Sequence, residues 1–144
     1  MKADAKTEAE VMAFLNRLIK SYKEQDVDGS LALYATDPDM VTIGTGVDEK
    51  RIGMADRRAQ LERDFAQIKE ISIDIDWYSV SAAGSVAWVA SDVIARGKVG
   101  GQETSVPMRA TFVLEQRGGK WLIVHSHISV PAAGQAEGES WPTK

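Results

Sequence analysis

The sequence predicts an α+β fold in which helices come first and a long antiparallel sheet follows. Apolar residues recur at helical spacing up to about residue 68, and they alternate with polar residues from residue 71 onwards. The segments of the second half are joined by short connections that contain glycine, as hairpins require. Helices that precede the strands, instead of alternating with them, are typical of the α+β class.

Three helices are predicted in the first half of the chain. Residues Thr7 to Glu10 fit a capping box, and apolar residues follow at helical spacing as far as about Gln25. Asp28 is expected to cap a short second helix, which ends before Pro38 because the residue before a proline disfavours the helical conformation. A third helix is predicted over residues 54–68, with the pair Arg57-Arg58 on its surface.

The sheet is predicted as a meander. A short strand is expected over residues 40–43, and longer strands over 71–78, 85–96, 104–116 and 121–130. Residues 1–131 are expected to form a single domain, since 144 residues suit one hydrophobic core. Residues 132–144 contain turn-forming residues without periodicity, which predicts a flexible tail unless Trp141 docks.

Composition excludes several kinds of site and partner. The chain has no cysteine, which excludes disulfides, thiolate zinc sites and thiol nucleophiles. The net charge is −4 with both signs interspersed, so no nucleic-acid partner is predicted. No apolar run approaches the ~18 residues of a membrane span, and no signal peptide is visible, so no membrane partner and a cytoplasmic location are expected. No nucleotide-binding glycine spacing is present, and no cofactor is predicted.

The last strands are apolar on both faces, which indicates that both faces are covered. One face is expected to cover the helices and the other to meet a second copy of the chain in a homodimer. The face expected between the two copies comprises Met108, Ala110, Phe112 and Leu114, together with Val124 and Ile128.

Two stretches carry a resemblance to a known family. "DPDMVTIGTGVDEKRIG" and the ending "GKWLIVHSHISVP" resemble the SnoaL-like (polyketide cyclase-like) branch of the nuclear transport factor 2-like superfamily, over about residues 7–131. The ending is also similar to that of the calcium/calmodulin-dependent protein kinase II association domain. The resemblance implies a cystatin-like α+β barrel: a cone-shaped, curved antiparallel sheet wrapped around three N-terminal helices, with an internal pocket and usually a dimer. Function varies widely within this superfamily, so the fold alone does not settle it.

The steroid delta-isomerase members of that superfamily provide a test of mechanism. Their "GDLDG" resembles "QDVDG" at residues 25–29, and that alignment places their helix-1 tyrosine on Leu18, their general-base aspartate on Ile43 and their second acid near Arg109. None of these three side chains does the corresponding chemistry, so the isomerase mechanism is not supported. The same alignment implies that four side chains face the pocket: Trp88, Arg109, His125 and His127.

Strand pairing inferred from the turns predicts a polar row across three strands. Asp92 is expected opposite Arg109, and Arg109 opposite His127, with Trp88 and His125 beside them. The spare donors of Arg109 and an imidazole suit a carboxylate or another oxygen-rich ligand. The alternative, about equally favoured, is that Asp92 and Arg109 form a structural pair.

The two histidines are expected to be walls of a binding pocket. His125 and His127 lie two residues apart on one strand, but no third ligand appears at motif spacing, so no metal site is predicted. His127 is a candidate general base because imidazole titrates near neutral pH. Tyr34 is a candidate pocket residue, with core packing as the alternative.

Three functions remain open on the sequence. The favoured one is a dimeric small-molecule-binding protein with an internal pocket for an apolar ligand that bears an acidic or carbonyl oxygen. The second is an enzyme of the cyclase, dehydratase or isomerase type, with His127, Arg109 and Asp92 as catalytic candidates. The third is an assembly module whose pocket is vestigial. The predicted ligand-binding residues are Trp88, Asp92, Arg109, His125, His127 and Tyr34.

Overall fold

Three helices lie against one face of a six-stranded sheet in the computed structural model, which describes residues 1–143. The helices are α1 (Ala5–Lys23), α2 (Val27–Leu31) and α3 (Gly53–Gln67), and the strands are β1 (Val41–Ile43), β2 (Lys50–Ile52), β3 (Ile68–Ala83), β4 (Val86–Val99), β5 (Gln102–Arg117) and β6 (Lys120–Ser129). The strand order is β2-β1-β6-β5-β4-β3, and β1 pairs with β6 in parallel while the other pairs are antiparallel. The sheet is curved and unclosed, so the predicted α+β fold is confirmed.

Aspartates begin the first two helices, at positions other than those predicted. The Asp4 carboxylate accepts a hydrogen bond from the Thr7 backbone N–H at 2.7 Å, so Thr7 belongs to the first turn of α1 and does not cap it. Asp26 accepts from the Gly29 N–H at 2.9 Å, which likewise places Asp28 inside the first turn of α2. An aspartate three residues before a free N–H satisfies a backbone donor that has no partner within the helix.

Paired glycines set the register of the central strands. Gly100 and Gly101 have φ of +58° and +79°, which L side chains rarely adopt, and they form a two-residue turn between β4 and β5. That turn pairs Asp92 with Arg109, as predicted.

The predicted pairing of Arg109 with His127 is wrong. The loop between β5 and β6 holds two residues instead of three, and a β-bulge follows between Val113 and Leu114. Each feature shifts the register by one residue, so Arg109 pairs with Ser129 and His127 pairs with Thr111. The two shifts add up to two residues, and residues two apart on a strand point to the same side. Arg109 and His127 therefore still point to the same face of the sheet.

The face predicted to lie between two copies faces the helices instead. Leu114 is fully buried in the core, Ala110 is 4% exposed, and Met108, Phe112 and Ile128 point to the same inner side. Val124 lies at the bulge. Alternation separates the two faces of a strand but does not say which one meets the helices when both are apolar.

The core consists of two clusters on the inner face of the sheet. The larger one packs α1 against β3 to β6, through residues that include Val11, Phe14, Leu18, Val89, Leu114 and Ile123. The smaller one joins α2, α3 and β3 through Leu31, Leu61, Phe65 and Ile71. None of the helices within residues 1–143 is long and apolar enough to span a membrane. After β6, residues 130–143 contain no helix or strand, and Trp141 is 80% exposed.

Leu114→Ala is expected to lower the free energy of unfolding by about 2–5 kcal/mol, because it removes buried methyl groups and leaves a cavity. Trp141→Ala deletes a larger but exposed side chain and should change stability by less than about 0.5 kcal/mol. Urea unfolding followed by circular dichroism compares the two. Equal effects of the two substitutions would contradict the assignment of Leu114 to the core.

Candidate functional site

A cavity of about 360 Å³ lies between the helices and the inner face of the sheet. Most of its wall is apolar, and the sheet contributes side chains from four adjacent strands: Ile71, Ile73, Val93, Met108, Phe112 and Ile128. Since alternate residues of a strand point to the same side, the alternation of β3 to β6 turns these apolar side chains toward one interior. A mostly apolar, concave space with a few polar groups is the usual form of a small-molecule site.

Three polar side chains meet in the wall of this cavity. The Nη2 of Arg57, on α3, donates hydrogen bonds to the hydroxyl oxygens of Tyr22 at 2.5 Å and Tyr34 at 3.0 Å. The guanidinium carbon of Arg57 lies 4.9 Å from the centre of the Tyr34 ring, which adds a cation–π contact. We call Arg57, Tyr22 and Tyr34 the arginine–tyrosine cluster.

Local structure holds each member of the cluster in place. The Tyr22 ring, on α1, packs edge-on against Phe65 with centroids 5.3 Å apart. Tyr34 follows α2 in a segment tied to β6 by backbone hydrogen bonds from Ala35 to Ile123 and from Ile123 to Leu33, at 2.8 and 2.9 Å. Arg57 is only 7% exposed, so its orientation is fixed by its surroundings.

The cluster carries a positive charge that is not balanced by direct contact with an acid. Burial opposes the charge of Arg57, but its interactions with Tyr22 and Tyr34 raise its pKa overall. Burial also raises the pKa of the Tyr22 phenol, against the opposing effect of Arg57, so Tyr22 keeps its proton at any physiological pH. Within residues 1–143, Arg57 forms no ion pair, and its buried Nε has no hydrogen-bond partner.

A second polar group borders the same cavity. The Nε2 of Gln60 donates to Glu49 Oε1 at 3.1 Å and to Asp64 Oδ1 at 2.7 Å. Arg63 pairs with Glu49 at 3.0 Å. Burial is the main cause that raises the pKa of Asp64, and the neighbouring Glu49 acts in the same direction. Asp64 therefore takes up a proton at a higher pH than an exposed aspartate does.

Most of the residues predicted from the sequence do not line this cavity. Tyr34 does, but Arg109, His125 and His127 border a separate depression on the outer face of the sheet, with Thr111 and Ser129. Asp92 pairs with Arg109 in the register and lies on that outer face, as does Trp88, which pairs with Val113 next to His125. The implied orientation toward the internal pocket is therefore wrong for four residues, which point to the outer face of the sheet while their neighbours along each strand point inward: Trp88, Arg109, His125 and His127.

The contacts of the outer residues are mostly with the backbone. Arg109 donates to Ser129 Oγ at 3.2 Å and to the Val130 carbonyl at 3.3 Å, and forms no ion pair with Asp92 in the described residues. The Nδ1 of His125 lies 2.8 Å from the Val41 carbonyl oxygen, which holds the ring against β1. No group of three or more potential metal ligands occurs among residues 1–143.

Two residues from the isomerase alignment do reach the cavity. Leu18 and Ile43 line it, at the places where that alignment puts a tyrosine and a general-base aspartate. The internal space is thus present, but apolar side chains occupy those positions. The polar chemistry of the cavity comes from Tyr22, Arg57 and Asp64 instead.

The sequence contains one signal for the burial of Arg57. Arg57, Leu61 and Phe65 follow at intervals of four residues and therefore lie on the same buried side of α3. The prediction that both arginines of the pair lie on the helix surface holds for Arg58, whose side chain is 47% exposed, but not for Arg57.

Comparisons with known proteins agree with this architecture. Residues 11–133 match the model of the SnoaL-like domain family. An NTF2-like protein of unknown function from Pseudomonas putida is 24% identical, with a TM-score of 0.77 over 95% of this chain and 94% of that one. An inferred calcium/calmodulin dependent protein kinase II association domain from Xanthomonas campestris is 25% identical, with a TM-score of 0.79 over 92% and 95%.

A third solved structure, an inferred dehydratase of the NTF2-like family from Streptomyces avermitilis, shares 17% identity. Its TM-score is 0.81, over 90% of this chain and 100% of that one, and at this identity the likeness concerns the fold alone. A comparison with curated protein sequences finds no match. Because the family model covers most of the chain, the chain belongs to the SnoaL-like domain family.

Proposed function

We propose that this chain binds a small, largely apolar molecule in the internal cavity, with an oxygen of that molecule held by the arginine–tyrosine cluster. The single observation that carries the proposal is the position of Arg57, a buried cation in the wall of a mostly apolar cavity. Burying a charge without a direct partner is costly, and such a group is retained more readily where it meets a ligand than where it only supports the fold.

The members of the cluster suit an oxygen acceptor. Both phenols accept a hydrogen bond from Arg57 Nη2, so the single hydroxyl proton of each remains to be donated. A carbonyl or carboxylate oxygen beside the cluster receives those protons, while apolar side chains such as Ile73 and Phe112 surround the rest of the molecule. The sequence predicted the same class of ligand but placed it beside Arg109 and His127 instead of the arginine–tyrosine cluster.

The test is a thermal-shift screen of carboxylic acids and ketones with apolar bodies. A ligand present at 100 times its Kd should stabilise the protein by about 2.7 kcal/mol. Tyr34→Phe should weaken binding by about 0.5–1.5 kcal/mol, because it removes one hydrogen bond and keeps the ring. Arg109→Ala, on the opposite face of the sheet, is the control and should leave affinity unchanged. Loss of binding in Arg109→Ala with unchanged binding in Tyr34→Phe would move the site to the outer face.

A second candidate function is an enzyme of the dehydratase or cyclase type. The similar structure from Streptomyces avermitilis is that of an inferred dehydratase. The observation that favours it is Asp64, a carboxyl with a raised pKa in the same cavity as the oxygen-binding cluster. A raised pKa brings a carboxyl group closer to neutral pH, which favours a role as a general acid or base. A ligand that binds and is recovered unchanged, without exchange of its hydrogens with solvent deuterium, would exclude this alternative for that ligand.

We also propose that two copies of the chain pair through the outer face of β4 to β6. All three helices lie on the inner side, and the outer side carries half-buried apolar side chains, including Trp88, Val113 and Leu122. Light scattering at micromolar concentration should give about twice 15.7 kDa. Val113→Glu should give the single-chain mass, because it places a charge in the middle of the apolar area. A wild-type mass of 15.7 kDa would contradict the pairing.

A further inference from the structure

We propose that the ligand binds as an organic carboxylate, and that the buried Arg57 guanidinium neutralises its charge. This inference rests on the proposed binding function and narrows it, because a neutral carbonyl compound would satisfy that function equally well.

Arg57 is a cation that lacks a contact anion. Ion pairs engage the other two arginines of α3, the exposed Arg58 and the half-buried Arg63, whereas Arg57 interacts with two neutral phenols. Hydrogen bonds to phenol oxygens orient the guanidinium, but they do not cancel its charge. A bound carboxylate supplies the missing charge, and the attraction is strong because the low-dielectric wall screens it little.

The donors around the cluster outnumber what a neutral carbonyl oxygen accepts. Nη2 already donates to both phenols, while Nη1 donates to no atom of residues 1–143. Nη1 and the two hydroxyl protons, of Tyr22 and Tyr34, are therefore left for a ligand. A ketone oxygen has two lone pairs, whereas the two oxygens of a carboxylate offer about four acceptor sites in one plane. Charge-assisted hydrogen bonds to an anion are also roughly twice as strong as neutral ones.

The two acids that border the cavity do not oppose a bound anion equally. Glu49 is paired with Arg63 and also accepts from the Gly46 N–H at 2.7 Å, so its charge is largely compensated. Asp64 forms no ion pair in residues 1–143, and its one hydrogen bond comes from Gln60. Asp64 is thus the group whose negative charge an incoming carboxylate would meet.

Protonation of Asp64 removes that repulsion. The charged and polar groups that act on it come from three elements. Arg57, Arg63 and Gln60 on α3 favour its ionised form, Glu49 in the β1–β2 turn disfavours it, and the Tyr22 phenol on α1 also interacts with it electrostatically. The net effect of these groups and of burial is a raised pKa, and a bound anion raises it further. Carboxylate binding should therefore take up protons, and affinity should increase as the pH falls from neutral toward the pKa of the ligand itself.

The experiment compares carboxylic acids with their primary amides, which have the same shape and no charge. Isothermal titration is carried out on the full chain with a series of medium-chain and phenylalkyl acids and the matched amides. At neutral pH we expect at least one acid to bind with a Kd about tenfold or more below that of its amide. A tenfold ratio corresponds to about 1.4 kcal/mol of binding free energy. Arg57→Met should remove this preference, and Arg58→Met, the same change at the next residue, should keep it.

Asp64→Asn provides a second variant that leaves Arg57 in place. It should strengthen binding of the acid, leave the amide unaffected and abolish the proton uptake, which is measured by repeating the titration in buffers of different ionisation enthalpy. Tighter binding of amides than of acids throughout the series would overturn the carboxylate assignment and leave the binding function standing. If neither the acids nor the amides bind, the carboxylate assignment and the proposed binding function are both contradicted. Stronger binding of acids to Arg57→Met would show that other residues recognise the carboxylate.

Discussion

Arg57→Met is expected to abolish high-affinity ligand binding while leaving the fold as stable as before or more stable. Removing one member of a desolvated, hydrogen-bonded charge pair between protein and ligand costs about 2–5 kcal/mol of binding free energy. A methionine fills nearly the same volume without a buried charge, and replacing buried charges by well-packed apolar residues is often neutral or stabilising by roughly 1–4 kcal/mol. The two phenols that lose their donor border the cavity, where water is able to replace it.

This combination separates a binding role from a structural one. If Arg57 mainly held α1, α2 and α3 together, its loss would lower the free energy of unfolding by about 3–5 kcal/mol, as when one partner of a buried pair is removed. Urea unfolding and ligand titration on the same preparation provide the comparison. Arg58→Met, at an exposed position on the same helix, should change neither quantity by more than about 0.5 kcal/mol.

Ala110→Phe is expected to block the cavity and prevent binding. Ala110 is 4% exposed, lies in the cavity wall and pairs across the sheet with Ser91 and Ile128, which also line the cavity. A phenyl ring there occupies space that the ligand needs, and forcing extra atoms into a filled interior costs roughly 1–3 kcal/mol, so affinity should fall by on the order of 100-fold. Stability should not fall with it, because the ring enters space that is already open in the free protein.

Ala90→Phe is the matched control for Ala110→Phe. Ala90 lies on the neighbouring strand and points to the outer face, where it pairs with Thr111. The same ring placed there should leave ligand affinity unchanged, since the proposed site lies within one chain and on the other side of the sheet. Undiminished binding in Ala110→Phe, or equal losses in both variants, would contradict the location of the site.

The positions of the turns in the sheet could be predicted because their glycines have few alternatives, although the β5–β6 loop is one residue shorter than predicted. Gly100-Gly101 and Gly118-Gly119 adopt positive φ, and the pairing of Asp92 with Arg109 follows directly from the first of these turns. The β-bulge between Val113 and Leu114 has no such marker, because no glycine or proline accompanies it. This bulge and the shorter β5–β6 loop each displaced the predicted partner of Arg109 by one residue, so the predicted partner stayed on the same face of the sheet as Arg109.

The site was harder to predict than the sheet. The sequence interpretation placed the site at Arg109 and the two histidines, on β5 and β6. Both faces of these strands are apolar enough to be buried, and the interpretation took the outer face for the inner one. Arg57 resembled a surface residue because an arginine at a helix position is usually exposed. Its burial depends on Tyr22 and Tyr34, which are 35 and 23 residues away along the chain, and spacing within α3 alone does not reveal them.

Nuclear Overhauser contacts between a bound carboxylate and the methyl groups of the protein test the central claim most directly. The acid selected by titration is added to methyl-labelled protein, and contacts are assigned on both faces of the sheet. We predict contacts from the apolar part of the ligand to Ile71, Ile73, Val93 and Ile128, which line the inner cavity. Contacts confined to Val113, Leu122 and the ring protons of His127 would instead place the ligand on the outer face and contradict the account.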